Sequence, residues 1–217
     1  MNLRRFTVRR ISFLGVVLFW LSMSQAQAAI TETKTESLTA GLAAVSTIAV
    51  VFATNPMEAD RMVFEAGRAD HVYVLRGGAQ WDWKHDLLTL GGFRLDSYLQ
   101  FDYSKWQSTL DSSQKGNNNA IGLTPFFRFS RVIGSVPVYI ETGIGAYLIS
   151  STTINDRRFS TNFQFGDSLG MGVFLGERRQ WTLGYKFQHH SNNGIKLPNN
   201  GLNIHFFAIS YAYHKGN

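Results

Sequence analysis

Phe93-Arg94-Leu95-Asp96-Ser97-Tyr98-Leu99-Gln100-Phe101-Asp102-Tyr103 alternates with a period of two. Phe93, Leu95, Leu99, Phe101 and Tyr103 fall on one side, and Arg94, Asp96, Gln100 and Asp102 on the other. A β-strand keeps two such sets apart, whereas a helix would mix them. Ile121, Leu123, Pro125, Phe127 and Phe129 repeat the pattern against Gly122, Thr124, Arg128 and Ser130. Val138, Ile140, Ile144, Ala146 and Leu148 oppose Glu141, Gly143 and Gly145, while Trp181, Leu183, Tyr185 and Phe187 oppose Thr182, Gly184, Lys186 and Gln188.

Working outward, eight such segments follow Asp60, at about 61–67, 71–84, 92–107, 118–131, 136–149, 161–176, 180–190 and 202–214. Eight is an even number that closes a small antiparallel barrel with an interior filled by side chains. Two barrels fit the period. A transmembrane barrel turns the apolar set outward to lipid, and a soluble lipocalin-like barrel turns it inward. Composition favours the transmembrane form. Only 17% of the 217 residues are charged, 14% are aromatic, and twenty are glycine. A soluble domain carries about 25% charged residues. The glycines lie on the polar face, where a narrow lumen needs small groups. Trp81, Trp83, Trp106, Trp181 and Tyr213 lie near strand ends, as an interfacial girdle requires.

Residues 1–28 read as a signal peptide: Arg4, Arg5, Arg9 and Arg10, an apolar run from Ile11 to Leu21, and the small-x-small site Ala26-Gln27-Ala28. Removing them takes four arginines from the 21 basic residues and leaves 17 against 15 acidic, so the net charge falls from +6 to +2. That removes most of the electrostatic case for nucleic acid. A second apolar stretch, Leu38 to Ala53, allows cleavage as late as about 59, a short anchor, or a periplasmic extension over 29–59. A long leader or extension is the favoured reading, with the barrel occupying 60–217. Without cysteine there is no disulfide, no thiolate metal site and no cysteine nucleophile. No metal-ligand cluster has useful spacing, and the Gly-x-Gly runs at 143–145 and 170–172 lack the following helix of a phosphate loop. No cofactor is expected.

If the first strand starts in the periplasm, the short connections 132–135 and 177–179 are periplasmic. The long ones, 108–117, 150–160 and 191–201, are then exterior. At the outer end of the seventh segment, parity puts His189 and Ser191 on the lipid-facing side and His190 on the other. A histidine able to deprotonate a nearby serine is what acyl transfer needs. A solvated strand end explains the same residues, and spacing alone leaves both readings open.

The run His189-His190-Ser191-Asn192-Asn193-Gly194-Ile195-Lys196-Leu197-Pro198-Asn199-Asn200-Gly201-Leu202-Asn203 resembles the signature H-x-S-N-x-G-[IL]-K-x-P-N-x-G-[IL]-E of the outer-membrane lipid A 3-O-deacylases, the PagL family. YIETGIG at 139–145 and FQFGDSLGMG at 163–172 are similar to that family's fifth and sixth strands. The resemblance implies hydrolysis of the ester-linked 3-hydroxyacyl chain at position 3 of lipid A, without a metal. It implies Ser191 as nucleophile, His189 as general base, and Asn192 with the Gly194 N–H as oxyanion donors. Pro198, Asn199 and Gly201 would shape the loop. Asn203 stands where the family has the acid that orients the histidine; its amide oxygen accepts the imidazole N–H but cannot neutralise an imidazolium.

A turn centred near Arg178 would set Asp167 opposite His189, as a supporting acid contacting it or its hydrogen-bond network, unless Asp167 marks a bulge and turns inward. Lys115, Arg157, Arg158 and Lys196 are placed to meet lipopolysaccharide phosphates or to be solvated loop charge. Expected partners are lipid A or lipopolysaccharide and outer-membrane lipids, with no nucleic acid; a homodimer stays open. The competing function is a non-catalytic structural or lipopolysaccharide-binding barrel.

Overall fold

The computed structural model describes Asn55, residues 57–110 and residues 116–213, except for the side chains of 84–86. The expected leader, almost all of the 29–59 extension, and Lys115 lie outside the described residues. Ten strands follow: β1 (Arg61–Ala69), β2 (Val72–Leu90), β3 (Phe93–Ser108), β4 (Asn117–Ile133), β5 (Val136–Ile149), β6 (Thr153–Ile154), β7 (Arg157–Arg158), β8 (Phe163–Leu175), β9 (Trp181–Ser191) and β10 (Leu202–Ala212). Eight of them close an antiparallel barrel in the order β1-β10-β9-β8-β5-β4-β3-β2. The two-residue strands β6 and β7 pair as a hairpin inside the connection from β5 to β8.

The direction of the faces decides between the two barrels. Ile121, Leu123, Phe127, Phe129, Ile140, Ile144, Leu148, Leu169, Met171 and Leu183 are all exposed, and Ile144 keeps 64% of its surface. Gln100, Asp102, Thr124, Arg128, Glu141, Lys186 and Gln188 are buried. Apolar-out and polar-in is the transmembrane pattern, and the lipocalin-like alternative is excluded.

A closed polar network fills the lumen. Arg76 lies 3.0 Å from Glu65 and 3.3 Å from Asp102. Lys186 Nζ sits 2.6 Å from Glu65, and Arg128 Nη2 sits 2.6 Å from Glu141, which also accepts the Tyr98 hydroxyl at 2.8 Å. Three acids thus face three bases, as a buried polar interior requires. Removing Glu141 strands Arg128 among apolar and aromatic groups. Glu141→Leu is therefore expected to destabilise the barrel by about 3–5 kcal/mol, read as an earlier urea midpoint for loss of the heat-modifiable folded band.

Small residues on the inner face make room for large ones. A Cβ at Gly122 would lie 2.1 Å from the Tyr147 ring, and one at Gly166 would lie 2.4 Å from it. The lumen glycines are thus the seats of an aromatic plug. One girdle residue belongs with that plug: Trp106 is fully buried, with ring centroids 6.1 Å from Phe159 and 5.0 Å from His190. It shares strand parity with the inward-facing Ser104, whose hydroxyl accepts the indole N–H at 2.9 Å. Trp83 and Trp181, by contrast, are exposed.

Candidate active site

The strand pairing around β9 builds the site. The turn at 176–180 sets Asp167 opposite His189 and Phe165 opposite Ser191, while β10 sets Asn203 opposite His189 from the other side. His189 and Ser191 are half-buried on the outer face, Asn203 and Asp167 are exposed there, and His190 points fully inward.

The two flanking residues are not equivalent. His189 Nδ1 bonds Asn203 Oδ1 at 2.6 Å. With the amide oxygen as acceptor the proton resides on Nδ1, and Nε2 keeps its lone pair. Asp167, though opposite His189 in register and not turned inward, makes no hydrogen bond or ion pair with it among the described residues. His189 Nδ1 is taken by Asn203 on β10, so it has no proton left for Asp167 on β8. No hydrogen bond joins Ser191 Oγ to His189 among the described residues; the Oγ accepts the Asn193 N–H at 3.4 Å.

Asn192 and Gly194 have different immediate duties from the oxyanion donation expected of them. The Asn192 side chain is fully buried, because parity turns it inward from Ser191. Its Nδ2 donates to Phe159 O and to Lys196 O, both at 2.7 Å, so both amide protons are taken. Its Oδ1 accepts the Gly194 N–H at 2.9 Å, and its own N–H donates to Asn199 Oδ1 at 3.1 Å. Asn192 is therefore the hub of the 191–201 connection, and Asn199 shapes that connection by accepting from it.

The remaining supports come from the segment at 153–160, whose role no local sequence pattern indicates. Arg158 N–H donates to Asn200 Oδ1 at 2.9 Å, and Asn200 N–H donates to Arg158 O at 3.1 Å. Ser160 Oγ donates to Pro198 O at 2.7 Å, and Arg157 Nη1 donates to Gly201 O at 3.3 Å. Gly201, at φ +63°, packs so closely that a Cβ there would lie 2.9 Å from His189 Cε1. The loop thus presses on the imidazole from above while Asn203 holds it from the side.

One strand step along the same outer face, His205 Nδ1 lies 2.5 Å from the Tyr185 hydroxyl. This second polar pair escaped the sequence reading, although His205 shares parity with Asn203. The described residues contain no group of three or more His, Cys, Asp or Glu able to hold a metal ion. Chemically, the site offers a hydroxyl, an imidazole with a free Nε2 and a fixed tautomer, at the end of the barrel that carries its longest connections.

A family model described as lipid A 3-O-deacylase (PagL) matches residues 73–212. A lipid A deacylase PagL of Bordetella bronchiseptica is 36% identical over 131 residues, which is 60% of this chain and 68% of that protein. A lipid A deacylase PagL of Pseudomonas aeruginosa is 28% identical over 161 residues, which is 74% of this chain and 88% of that protein. The crystal structure of the outer membrane enzyme PagL aligns with a TM-score of 0.62 at 24% identity, over 70% of this chain and 99% of the other.

Proposed function

Because the chain belongs to the lipid A 3-O-deacylase (PagL) family, we propose that it removes the ester-linked 3-hydroxyacyl chain at position 3 of lipid A as a serine esterase. Its barrel fits the outer membrane, and its site works from the outer leaflet. The observation that carries the mechanism is the 2.6 Å bond from His189 Nδ1 to Asn203. It leaves Nε2 as the base on the same outward face as Ser191, where a strand meets the interface.

In this reading the arriving substrate closes the gap between Ser191 Oγ and His189 Nε2, as catalytic hydrogen bonds often tighten in the bound complex. The Oγ attacks the ester carbonyl while its proton passes to Nε2. The oxyanion is met by N–H donors of the 192–194 turn. The Asn193 N–H is already directed at Oγ, and Asn192 and Gly194 join it where the substrate oxygen displaces their present acceptors. The imidazolium then protonates the departing sugar oxygen. Water, activated by the same His189, cleaves the acyl-enzyme and releases the hydroxy fatty acid. Asp167, opposite His189 in register, is the supporting acid of this reading. The site needs no cofactor for these steps.

The test is incubation of the refolded protein with purified lipopolysaccharide and mass spectrometry of the lipid A. Loss of one hydroxyacyl chain supports the reading; an unchanged spectrum across detergents and divalent cations supports a non-catalytic lipopolysaccharide-binding barrel. Asn203 offers a graded check. An amide orients the imidazole without stabilising its positive charge, so Asn203→Asp is expected to raise kcat by about tenfold, and Asn203→Leu to lower it by about a hundredfold.

A further inference from the structure

On the far side of Asn203 from His189, the outer face is hollowed into a groove of about 470 Å³, lined chiefly by Arg68, Asp70, Arg157, Leu202, Asn203 and His205. It lies across the seam where β1 closes on β10, with Arg68 paired directly opposite His205. We propose that this groove holds a phosphate borne by the sugar whose ester is cleaved, with Arg68 as the residue that makes the site prefer a phosphorylated substrate. The inference rests on the deacylase reading and adds to it the group that anchors the substrate.

Three observations carry it. Arg68 is exposed on the outward face of a membrane strand, yet makes no ion pair among the described residues; its guanidinium only lies 5.4 Å from the Tyr73 ring centroid. A cation there is costly unless it reaches the interface or meets an anion. The groove's one carboxylate, Asp70, is already engaged by Arg157 at 3.2 Å and His71 at 3.5 Å, so it does not serve Arg68. Arg157 is held in place by Gly201 O and Asp70, which presents a second guanidinium to the groove at little further ordering cost. Two guanidinia beside one hydrogen-bonding amide match a phosphate, which accepts from several donors at once.

Placement gives the assignment its meaning. The groove follows β10 from His205 to Leu202, so its near end at Asn203 lies one strand and two residues from Ser191, on the order of 8 Å between Cα atoms, while Arg68 lies two strands and four residues away, on the order of 16 Å. A single glucosamine carrying both an ester-linked chain and a phosphate spans from Ser191 into the groove, and the long arginine side chain covers the rest. Such a substrate would lie with its phosphate over the β1–β10 seam, its ester at Ser191, and its acyl chains along the apolar outer face.

The test compares lipid A with its enzymatically 1-dephosphorylated form in the same detergent micelles, using the full-length refolded protein. The readout is the ratio of kcat/KM for the two lipids. For the unsubstituted protein the ratio is expected at about tenfold or more, to fall towards one in Arg68→Gln, and to be partly regained in Arg68→Lys. A merely structural role for Arg68 would slow both lipids alike; an unchanged ratio in Arg68→Gln overturns the assignment. The same ratio, read as Kd by titration calorimetry with Ser191→Ala, judges the groove without turnover. A protein that cleaves neither lipid but binds the phosphorylated one more tightly through Arg68 would overturn the esterase reading and leave the groove standing.

Discussion

Ser191→Ala is expected to lower release of the 3-hydroxyacyl chain by at least about 10³-fold while leaving the barrel folded. The loss is large because, among the described residues, the register neighbours of His189 and Ser191 on the outer face are Asp167, Asn203 and Phe165, none of which carries a hydroxyl or thiol, and the chain has no cysteine. The fold survives because Ser191 is half-buried and, among the described residues, its hydroxyl only accepts the Asn193 N–H at 3.4 Å. His189→Ala is expected to fall as far, and the double variant no further, since two groups serving one proton transfer fail together. Time-resolved mass spectrometry of lipid A, beside heat-modifiable migration of the same samples, makes the measurement. Activity of Ser191→Ala within tenfold of the unsubstituted protein would remove the serine from the mechanism.

The second large effect comes from a residue with no side chain. Gly201→Ala is expected to cut kcat by about 10²-fold, because a displacement of about an ångström at a catalytic group costs that much. The new Cβ would lie 2.9 Å from His189 Cε1 and 3.2 Å from His190 O, and the backbone oxygen cannot move aside without opening the β9–β10 ladder. The imidazole must give way, and with it the 2.6 Å bond to Asn203. Left-handed backbone strain adds to this, since Gly201 sits at φ +63°. Gly194→Ala is the matched comparison. It carries the same kind of strain at φ +77° but meets nothing within 4 Å. Its smaller loss of kcat would separate collision with His189 from loop strain; an equal loss in both variants would show that strain alone governs the site.

Much of this arrangement was legible beforehand because it depends on period and on short turns. Pairing partners between β8 and β9 follow from the tight turn at Arg178, so the position of Asp167 opposite His189 could be counted. The same counting would have moved Trp106 from the girdle into the lumen, since it shares parity with Ser104 and Asp102. Counting does not say what a side chain bonds. His189 lies between Asp167 and Asn203, and only the side-chain geometry shows Nδ1 turned to β10. Nor does it reach Asn192, whose amide protons go to Phe159 and Lys196. The first of these lies on a connection with no periodicity.

The sequence by itself determined the eight strands and the placing of His189 and Ser191 on one face of a strand end, both consequences of a two-residue period. Composition favoured turning the apolar sets outward, and the resemblance brought in Asn203, but the burial of the polar set and the pairing of β9 with β10 decided both. Tertiary structure alone decided how the 153–160 segment supports the active-site loop, how three acids and three bases pair in the lumen, and how Arg68 and Arg157 come to share a groove. Those contacts join residues from distant parts of the chain across a closed barrel. Closure depends on the stagger of all eight strands together, which no single segment encodes.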